Sequence, residues 1–449
     1  MAKEPQNPYS SPKASADSDS TPTPASQIGG YEKVVVWHGA VWFFFVLFGY
    51  YVLRPIREQI SSTYGTENLS RLFGATFVVM LIAIPTYSWL VGKVPRRRLV
   101  PGIYLFFILN LILFWAGMRY GTAAAQIWID RAFFVWISVY GLFIVSFFWS
   151  VIGDMLSTGQ GRRVFGYVAA GGTVGGLAGS QVAGRLVSVV GVANLLLITT
   201  CLLTLALVAY LLLERSASKY SQYADQEING KATGGNPFAG FTAAFKSRYL
   251  LAICVFGLLL ATCGTTVYFQ QSEIVKEAYE HLADGPAKAA RTQYFADINF
   301  SISLLTLVMQ FVIVGLLMKH AGLGITLAVM PTAYIVGISC LAIWPCIEVL
   351  AVISVIGRAT EYGIANPARE VLFTSVNRED RYKAKSFIDT IVRRGGDTVV
   401  GSIYRGLRES AGLAITTLSW IVIPVAVVWA MLGLFLGAEN KRVVESQRE

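Results

Sequence analysis

Charged residues are scarce in this chain of 449 residues. Asp, Glu, Lys and Arg make up 14% of it and hydrophobic residues make up 54%, whereas a soluble domain usually carries about 25% charged residues. This apolar fraction exceeds what the core of a water-soluble fold of the same length can bury. The composition therefore excludes an ordinary soluble enzyme and a mainly disordered chain, and it predicts a membrane protein whose apolar side chains face lipid.

Residues that bind metals or perform covalent chemistry are also few. The chain has three histidines and five cysteines, and the cysteines lie in apolar stretches without a CxxC pair or a Cys/His cluster. These residues disfavour a zinc site or a histidine-based triad, and we expect neither a metal nor a cofactor. The P-loop pattern GxxxxGK[ST] is missing, so we expect neither ATP hydrolysis nor enzyme activity.

Apolar runs of about 20 residues, the length that spans hydrocarbon as a helix, recur along the chain. The runs are continuous rather than alternating, which disfavours a β-barrel. We predict an all-α polytopic membrane protein with 12 transmembrane helices in two pseudo-symmetric six-helix bundles. The runs begin near Val34, Arg71, Leu99, Arg131, Val164, Ala193, Tyr249, Gln293, Gly322, Cys346, Ala384 and Leu413.

The longest polar gap separates the first six runs from the last six, which is the layout of major-facilitator transporters. Most Lys and Arg residues fall in segments that share a side with both termini, and the positive-inside rule then predicts cytoplasmic termini in a bacterial inner membrane. The predicted parts are a disordered tail (1–30), an N-terminal bundle (31–214), a linker (215–248), a C-terminal bundle (249–437) and a tail (438–449).

A few charges lie at membrane depth, where they usually face a cavity or a partner. Arg54 and Arg57 are three residues apart on one helix face, and their planar groups suit a phosphate or carboxylate; the alternative is a pair of snorkelling interface arginines. Asp154 is a coupling-proton site, the partner of an arginine, or a cap of the next turn. Arg358 and Glu361 are spaced to pair within one helix, as a structural pair or as an anion-binding arginine with its neutralising acid.

The eleventh run carries several charges, and its spacing of three and four places Asp389, Arg393, Arg394 and Asp397 on one helix face that we expect to line a wet path. Gln270 and Gln271 follow two aromatic residues and could hydrogen-bond a ring edge, although an interfacial aromatic belt is the alternative. The predicted substrate-binding residues are Arg54, Arg57, Gln270, Gln271, Arg358, Arg393 and Arg394. The predicted charge-balancing residues are Asp154, Glu361, Asp389 and Asp397. The predicted cytoplasmic gate consists of Arg96, Arg97, Arg98, Lys383 and Lys385.

Glycines spaced by four in the fifth run predict close contact with another helix, either for sliding or for plain tight packing. Further motifs carry a family resemblance. They are YVLRPIRE at 51–58, RVFG at 163–166, AGG at 170–172, PAREVL at 367–372, YKAKSFID at 382–389 and RGGD at 394–397. With these motifs, the membrane part from about Tyr31 to Leu436 resembles the bacterial branch of the ATP:ADP antiporter family (NTP/NDP exchange, Tlc type), which is related to the major facilitator superfamily.

The resemblance implies exchange of a nucleotide or another phosphate-bearing solute. Characterised members of that family have a lysine where this chain has Arg57, and a lysine near the double glycine where this chain has Asp397. An acid of the family's fourth helix matches Asp154 in type, and Gln270 or Gln271 stands where the family has an acid. These differences predict a substrate less anionic than ATP, or coupling to protons.

The leading hypothesis is therefore a secondary active transporter that moves an anionic metabolite, with a nucleotide as one candidate, by alternating access. The alternative is a proton-coupled major-facilitator transporter of a neutral or zwitterionic solute or drug. A third hypothesis is a membrane scaffold or sensor without transport. The expected partners are a small-molecule substrate and the lipid bilayer, because the basic residues are spread among loops that face anionic lipid; we expect no nucleic acid and a monomer.

Overall fold

The structure is a computed structural model that describes residues 29–156, 158–220, 248–375 and 387–446. The described residues form twelve helical segments without a strand, which confirms the predicted all-α membrane fold. Nine segments are uninterrupted α-helices. They are α1 Gly30–Thr63, α2 Thr66–Lys93, α3 Arg96–Tyr120, α4 Ala123–Asp154, α5 Thr158–Val190, α6 Val192–Ala217, α7 Arg248–Ala278, α9 Gly322–Ile343 and α12 Ile415–Ser446.

Three helices of the second half contain π-helical turns, in which the backbone hydrogen bond spans five residues. Helix α8 is α-helical over Asp284–Val308, π-helical over Met309–Ile313 and α-helical over Val314–His320. Helix α10 is α-helical over Ile347–Thr360, π-helical over Glu361–Ala365 and α-helical over Asn366–Thr374. Helix α11 is π-helical over Ile388–Val392, α-helical over Arg393–Arg405 and π-helical over Gly406–Ser410.

Hydrophobic side chains form two large cores. The first is built on aromatic side chains of α1–α6, where Phe43 stacks on Phe148 and the Trp42 indole donates a hydrogen bond to Tyr104 at 2.6 Å. It extends into the second half through Tyr268, Phe269, Tyr404 and Leu418. The second core lies within α7–α12 and includes Trp429, which packs edge-on against Phe256. Each group of six helices is thus packed around a core, as bundle packing requires, and the first core also joins the halves.

The helix ends extend beyond the apolar runs. Helix α4 begins at Ala123 instead of near Arg131, α8 begins at Asp284 instead of near Gln293, and α12 continues to Ser446, past the predicted bundle end at 437. The physical reason is that a helix can continue beyond the membrane into water. Its residues are polar there, so a search for apolar runs does not detect them. Of the predicted tail and linker, residues 1–28 and 221–247 lie outside the described residues.

Among the described helices, nine are long and apolar enough to cross a membrane. Helices α5, α10 and α11 do not meet that criterion, because α5 is rich in glycine and the other two carry charges. The polar helices are therefore those that need protein neighbours rather than lipid along much of their surface.

The glycine stripe of α5 lies directly against α1. A Cβ atom on Gly171, Gly175 or Gly179 would overlap a backbone carbonyl of α1, at Ala40, Phe44 and Phe48 respectively. The stripe thus permits the two backbones to touch. Because both helices belong to the same half, this contact supports tight packing rather than sliding between the halves.

We predict that Gly175→Ala destabilises the protein. The added methyl group has to displace the Phe44 backbone, and overpacking of this kind costs about 1–3 kcal/mol, more than the roughly 1 kcal/mol that alanine gains as a helix former. The apparent melting temperature in detergent, followed by intrinsic fluorescence, should fall. Gly166→Ala on the same helix is the control, since its Cβ would meet no described atom within 4 Å and its melting temperature should not fall.

Candidate functional site

The two halves meet most closely near one end of the bundle. We call this end the distal side; it carries the α1–α2, α7–α8 and α11–α12 turns, whereas the terminal side carries both ends of the described chain. Across the distal interface, Thr66 donates to the Glu273 carboxylate at 2.8 Å and Ser272 donates to the Ser61 carbonyl at 2.5 Å. Helix α2 also packs on α11 and α5 packs on α8. These contacts hold the distal side closed.

A buried carboxylate joins the halves deeper in the protein. Glu58 of α1 is 1% exposed, and its Oε1 lies 3.4 Å from Arg54 Nε and 3.2 Å from Arg358 Nη1. Its Oε2 accepts a hydrogen bond from Asn299 of α8 at 3.2 Å. We call Arg54, Glu58, Asn299 and Arg358 the Glu58 cluster. Arg54 also donates to the hydroxyl of Tyr362 at 3.4 Å, so α1 contacts both α8 and α10 of the other half here.

Arg57 lies on a neighbouring face of α1 and reaches a narrow cavity between the halves. Its guanidinium donates to the hydroxyl groups of Ser138 at 2.9 Å and Tyr268 at 3.2 Å, and it stacks over the Phe134 ring at 4.3 Å. The cavity is lined by Arg57, Phe73, Thr76, Phe77, Arg394 and Asp397. Two of the predicted arginines and one predicted acid, from opposite halves, therefore line one space.

The remaining charges of α10 and α11 pair between helices. Arg393 donates to Glu361 at 2.8 Å, and Asp389 lies 3.0 Å from the guanidinium of Arg369. Arg358 and Glu361, which are spaced to pair along one helix, form ion pairs with other helices instead. Asp389 likewise pairs with Arg369 of α10 rather than with a residue of α11.

Within α11 itself, one short-range interaction has the expected spacing. Arg394 and Asp397 are three residues apart and lie 3.7 Å from one another. The Asp397 carboxylate also accepts a hydrogen bond from Thr265 of α7 at 2.9 Å. Asp397 is thus oriented from its own helix and from α7 at the edge of the cavity.

The glutamines and the acid of α4 lie elsewhere. Gln270 is fully buried and donates to the Ser419 hydroxyl at 2.9 Å, on α12, while Gln271 donates to Ser354 of α10 at 3.2 Å. Asp154 is the exposed last residue of α4. It is separated from Ser138, the partner of Arg57, by sixteen residues, or roughly 24 Å of helix.

The predicted gate residues of the first half lie in the first turn of α3 on the terminal side. Arg97 donates to Glu214 of α6 at 3.0 Å, and both Arg97 and Arg98 are exposed, while Arg96 is partly buried. Lys383 and Lys385 lie outside the described residues. The gate therefore stays a prediction.

Several site residues were missed by sequence reasoning. Glu58, Asn299 and Tyr362 contact the predicted arginines, and Phe73 and Phe77 line the cavity. The spacing of four between Arg54 and Glu58 was a usable signal for the first of these. Within the described ranges, no three His, Cys, Asp or Glu side chains converge in a way that could hold a metal ion.

The sequence matches one protein family over most of its length. That family is the Major Facilitator Superfamily, and the match covers residues 39–381. A comparison with proteins of curated function gives no significant match.

Solved transporters share the fold. The nucleoside transporter NupG has a TM-score of 0.62 at 12% identity, over 90% of this chain and 99% of its own. A POT family transporter in complex with 5-aminolevulinic acid has a TM-score of 0.60 at 12% identity, over 90% and 96%. A bacterial homologue of the iron transporter ferroportin, in an inward-facing state, has a TM-score of 0.62 at 11% identity, over 91% and 98%.

We predict that Glu273→Ala weakens closure of the distal side. Glu273 accepts hydrogen bonds from Thr66 of the opposite half and from Arg408 at 2.8 Å, and alanine removes both. With spin labels at Gly65→Cys and His281→Cys, in a chain whose native cysteines are replaced by alanine, the interspin distance distribution should gain a longer component. Glu67→Ala, which removes an ion pair inside α2, is the control and should leave the distribution unchanged.

Proposed function

Because the chain belongs to the Major Facilitator Superfamily and is a secondary transporter rather than an enzyme, we propose that its cargo is an anionic metabolite bound between the two halves. The proposed site consists of Arg57 and Arg394 around the cavity, with Arg54, Arg358 and Arg393 beside it. The proposed membrane is the bacterial inner membrane, with the terminal side in the cytoplasm.

One observation carries this proposal. Guanidinium groups from opposite halves, those of Arg57 and Arg394, line the same cavity of about 10 Å³. That volume holds about one water molecule, so the halves have to part for an anion to enter, and the anion would then touch both. Arg57 donates to two hydroxyl groups, which orient it without neutralising its charge. A planar cation held in this way is suited to bind phosphate or carboxylate oxygens.

The charge balance around the cavity also favours an anion. The interhelical clusters contain six arginines and four acids, which leaves a formal excess of two positive charges when all are ionised. The arginines are Arg54, Arg57, Arg358, Arg369, Arg393 and Arg394, and the acids are Glu58, Glu361, Asp389 and Asp397. An excess of this size suits a cargo with one or two negative charges better than the tetra-anionic ATP.

Within the anions, a nucleotide or another phosphate ester with a ring is our finer proposal. Phe73 and Phe77 line the cavity and Tyr268 contacts Arg57, so aromatic faces are available for stacking next to the cations. The resemblance of the motifs at 367–372 and 382–389 to nucleotide exchangers supports the same class.

Exchange by alternating access supplies the mechanism. Most of each core lies within one half, and the halves can rock against each other around a central site. The distal contacts of Thr66 and Ser272 would break as the distal side opens. The cargo would cross by contacting the same arginines from either side.

A second candidate is a proton-coupled transporter of a neutral or zwitterionic solute. The observation in its favour is Asp397, an acid at the cavity edge. Radiolabelled counterflow in proteoliposomes, with a panel of nucleotides, sugar phosphates and organic anions, separates the two. Uptake driven by an internal anion supports exchange, whereas uptake driven only by a proton gradient supports the second candidate.

We predict that Arg57→Ala lowers anion affinity about 10- to 150-fold, the effect of losing about 1.5–3 kcal/mol from hydrogen bonds to a charged group. Counterflow at a fixed low concentration should fall accordingly, while thermal stability in detergent persists. Arg57→Lys, which retains the charge without the planar fork, should lose less. Arg71→Ala is the control, because Arg71 is exposed and pairs with Glu67 inside α2. Undiminished counterflow by Arg57→Ala would refute the proposed site.

A further inference from the structure

Glu58 is the one carboxylate of α1 that contacts arginines from both halves in the described structure. Arg54 lies one turn away on the same helix, at 3.4 Å, whereas Arg358 comes from α10, at 3.2 Å. Both carboxylate oxygens are in use, since Asn299 of α8 donates to the second at 3.2 Å. The carboxylate thus occupies the position that a bound anion would take between these two arginines.

The two ion pairs of Glu58 respond differently to motion between the halves. The pair with Arg54 lies within α1 and is kept when α1 moves as a unit. The contacts with Arg358 and Asn299 cross the interface and are lost when the distal side opens. In the opened state, Arg358 therefore retains its charge without the partner that it has in the closed state.

An arginine inside the membrane is costly without an anionic partner. In the closed state the partner of Arg358 Nη1 is Glu58. In the opened state an anion from the distal solution can occupy the same donor. Glu58 and the cargo anion then compete for Arg358. Closure of the distal side brings the Glu58 carboxylate within hydrogen-bond distance of Arg358.

We propose that the Glu58 carboxylate displaces the cargo anion from Arg358 each time the distal side closes. The inference rests on the proposed function and adds to it a specificity-determining residue that acts by competition. The displaced anion leaves toward the terminal side. Because Glu58 takes over the negative charge of the cargo as the distal side closes, an empty protein that closes regains a partner for Arg358. A return step without cargo is therefore favoured, and net transport becomes feasible alongside exchange.

The test compares wild-type protein with Glu58→Gln and Glu58→Asp, using AMP and inorganic phosphate, both of which carry up to two negative charges, as probes. Glutamine keeps the size and the hydrogen bond to Asn299 but removes the competing charge. It should bind the probes about tenfold more tightly, the effect of one charge-assisted hydrogen bond. In proteoliposomes it should retain exchange and lose most net efflux into probe-free buffer. Aspartate keeps the charge on a shorter arm, so its affinity should rise by a smaller factor.

The outcomes distinguish failure of the proposed function from failure of the displacement step. If wild-type protein binds neither AMP nor phosphate, the proposed nucleotide or phosphate-ester cargo has failed and the displacement step fails with it. If wild-type protein binds a probe but both variants bind it with unchanged affinity and unchanged net efflux, only the displacement step is overturned. If Glu58→Gln does not fold, the aspartate variant decides, and an unchanged affinity there overturns the proposal.

A measurement without cargo tests the same contact. In the spin-labelled pair at Gly65→Cys and His281→Cys, Glu58→Gln should shift the distance distribution toward longer values, since it loses the ion pair that crosses the interface. Glu58→Asp should shift it less. An unchanged distribution in Glu58→Gln would show that the pair with Arg358 does not respond to distal closure, and it would overturn the proposed coupling.

Discussion

An ionised side chain that lies within hydrocarbon has to find its partner inside the protein, and this requirement organises the molecule. A lone charge there costs at least about 2.5–3.5 kcal/mol on insertion scales. Glu58 is the partner of Arg54 and Arg358, and Glu361 is the partner of Arg393. All of these groups lie on helix faces that meet other helices. The exposed side chains of the helices include many large apolar ones, such as Phe311 and Val78.

Helices α10 and α11 carry several charges, and neither is apolar enough to face lipid along its length. Within α10, Arg358 contacts Glu58 of α1 and Glu361 contacts Arg393 of α11. Two charges three residues apart therefore serve different helices instead of pairing with one another. A π-helical turn follows at Glu361–Ala365, where Gln310 of α8 donates to the Tyr362 carbonyl at 3.2 Å. Such turns are frequent at functional sites.

The sequence predicts the helices better than it predicts the ion pairs between them. Run length and the central polar gap predict twelve helices, because crossing hydrocarbon fixes the length of an apolar helix. The charges at membrane depth identify Arg57, Arg358 and Arg394 as residues of interest, because such charges are costly. Their partners do not follow from spacing, since the pairs Arg358–Glu58 and Arg393–Glu361 both form between helices. Sequence distance says nothing about which helices become neighbours.

Arg57 and Arg358 lie in different environments. In the proposed exchanger, Arg57 attracts the anion and Arg358 governs its release. Arg57 is held by hydroxyl groups and a ring face, so its charge remains available to an anion in every state that preserves those contacts. Arg358 is held by a carboxylate from the opposite half, so its availability depends on how the halves are arranged. If every arginine were held as Arg57 is, the site would bind an anion and retain it. If every arginine were held as Arg358 is, the protein's own carboxylates would neutralise the site. The combination allows binding on one side and release on the other.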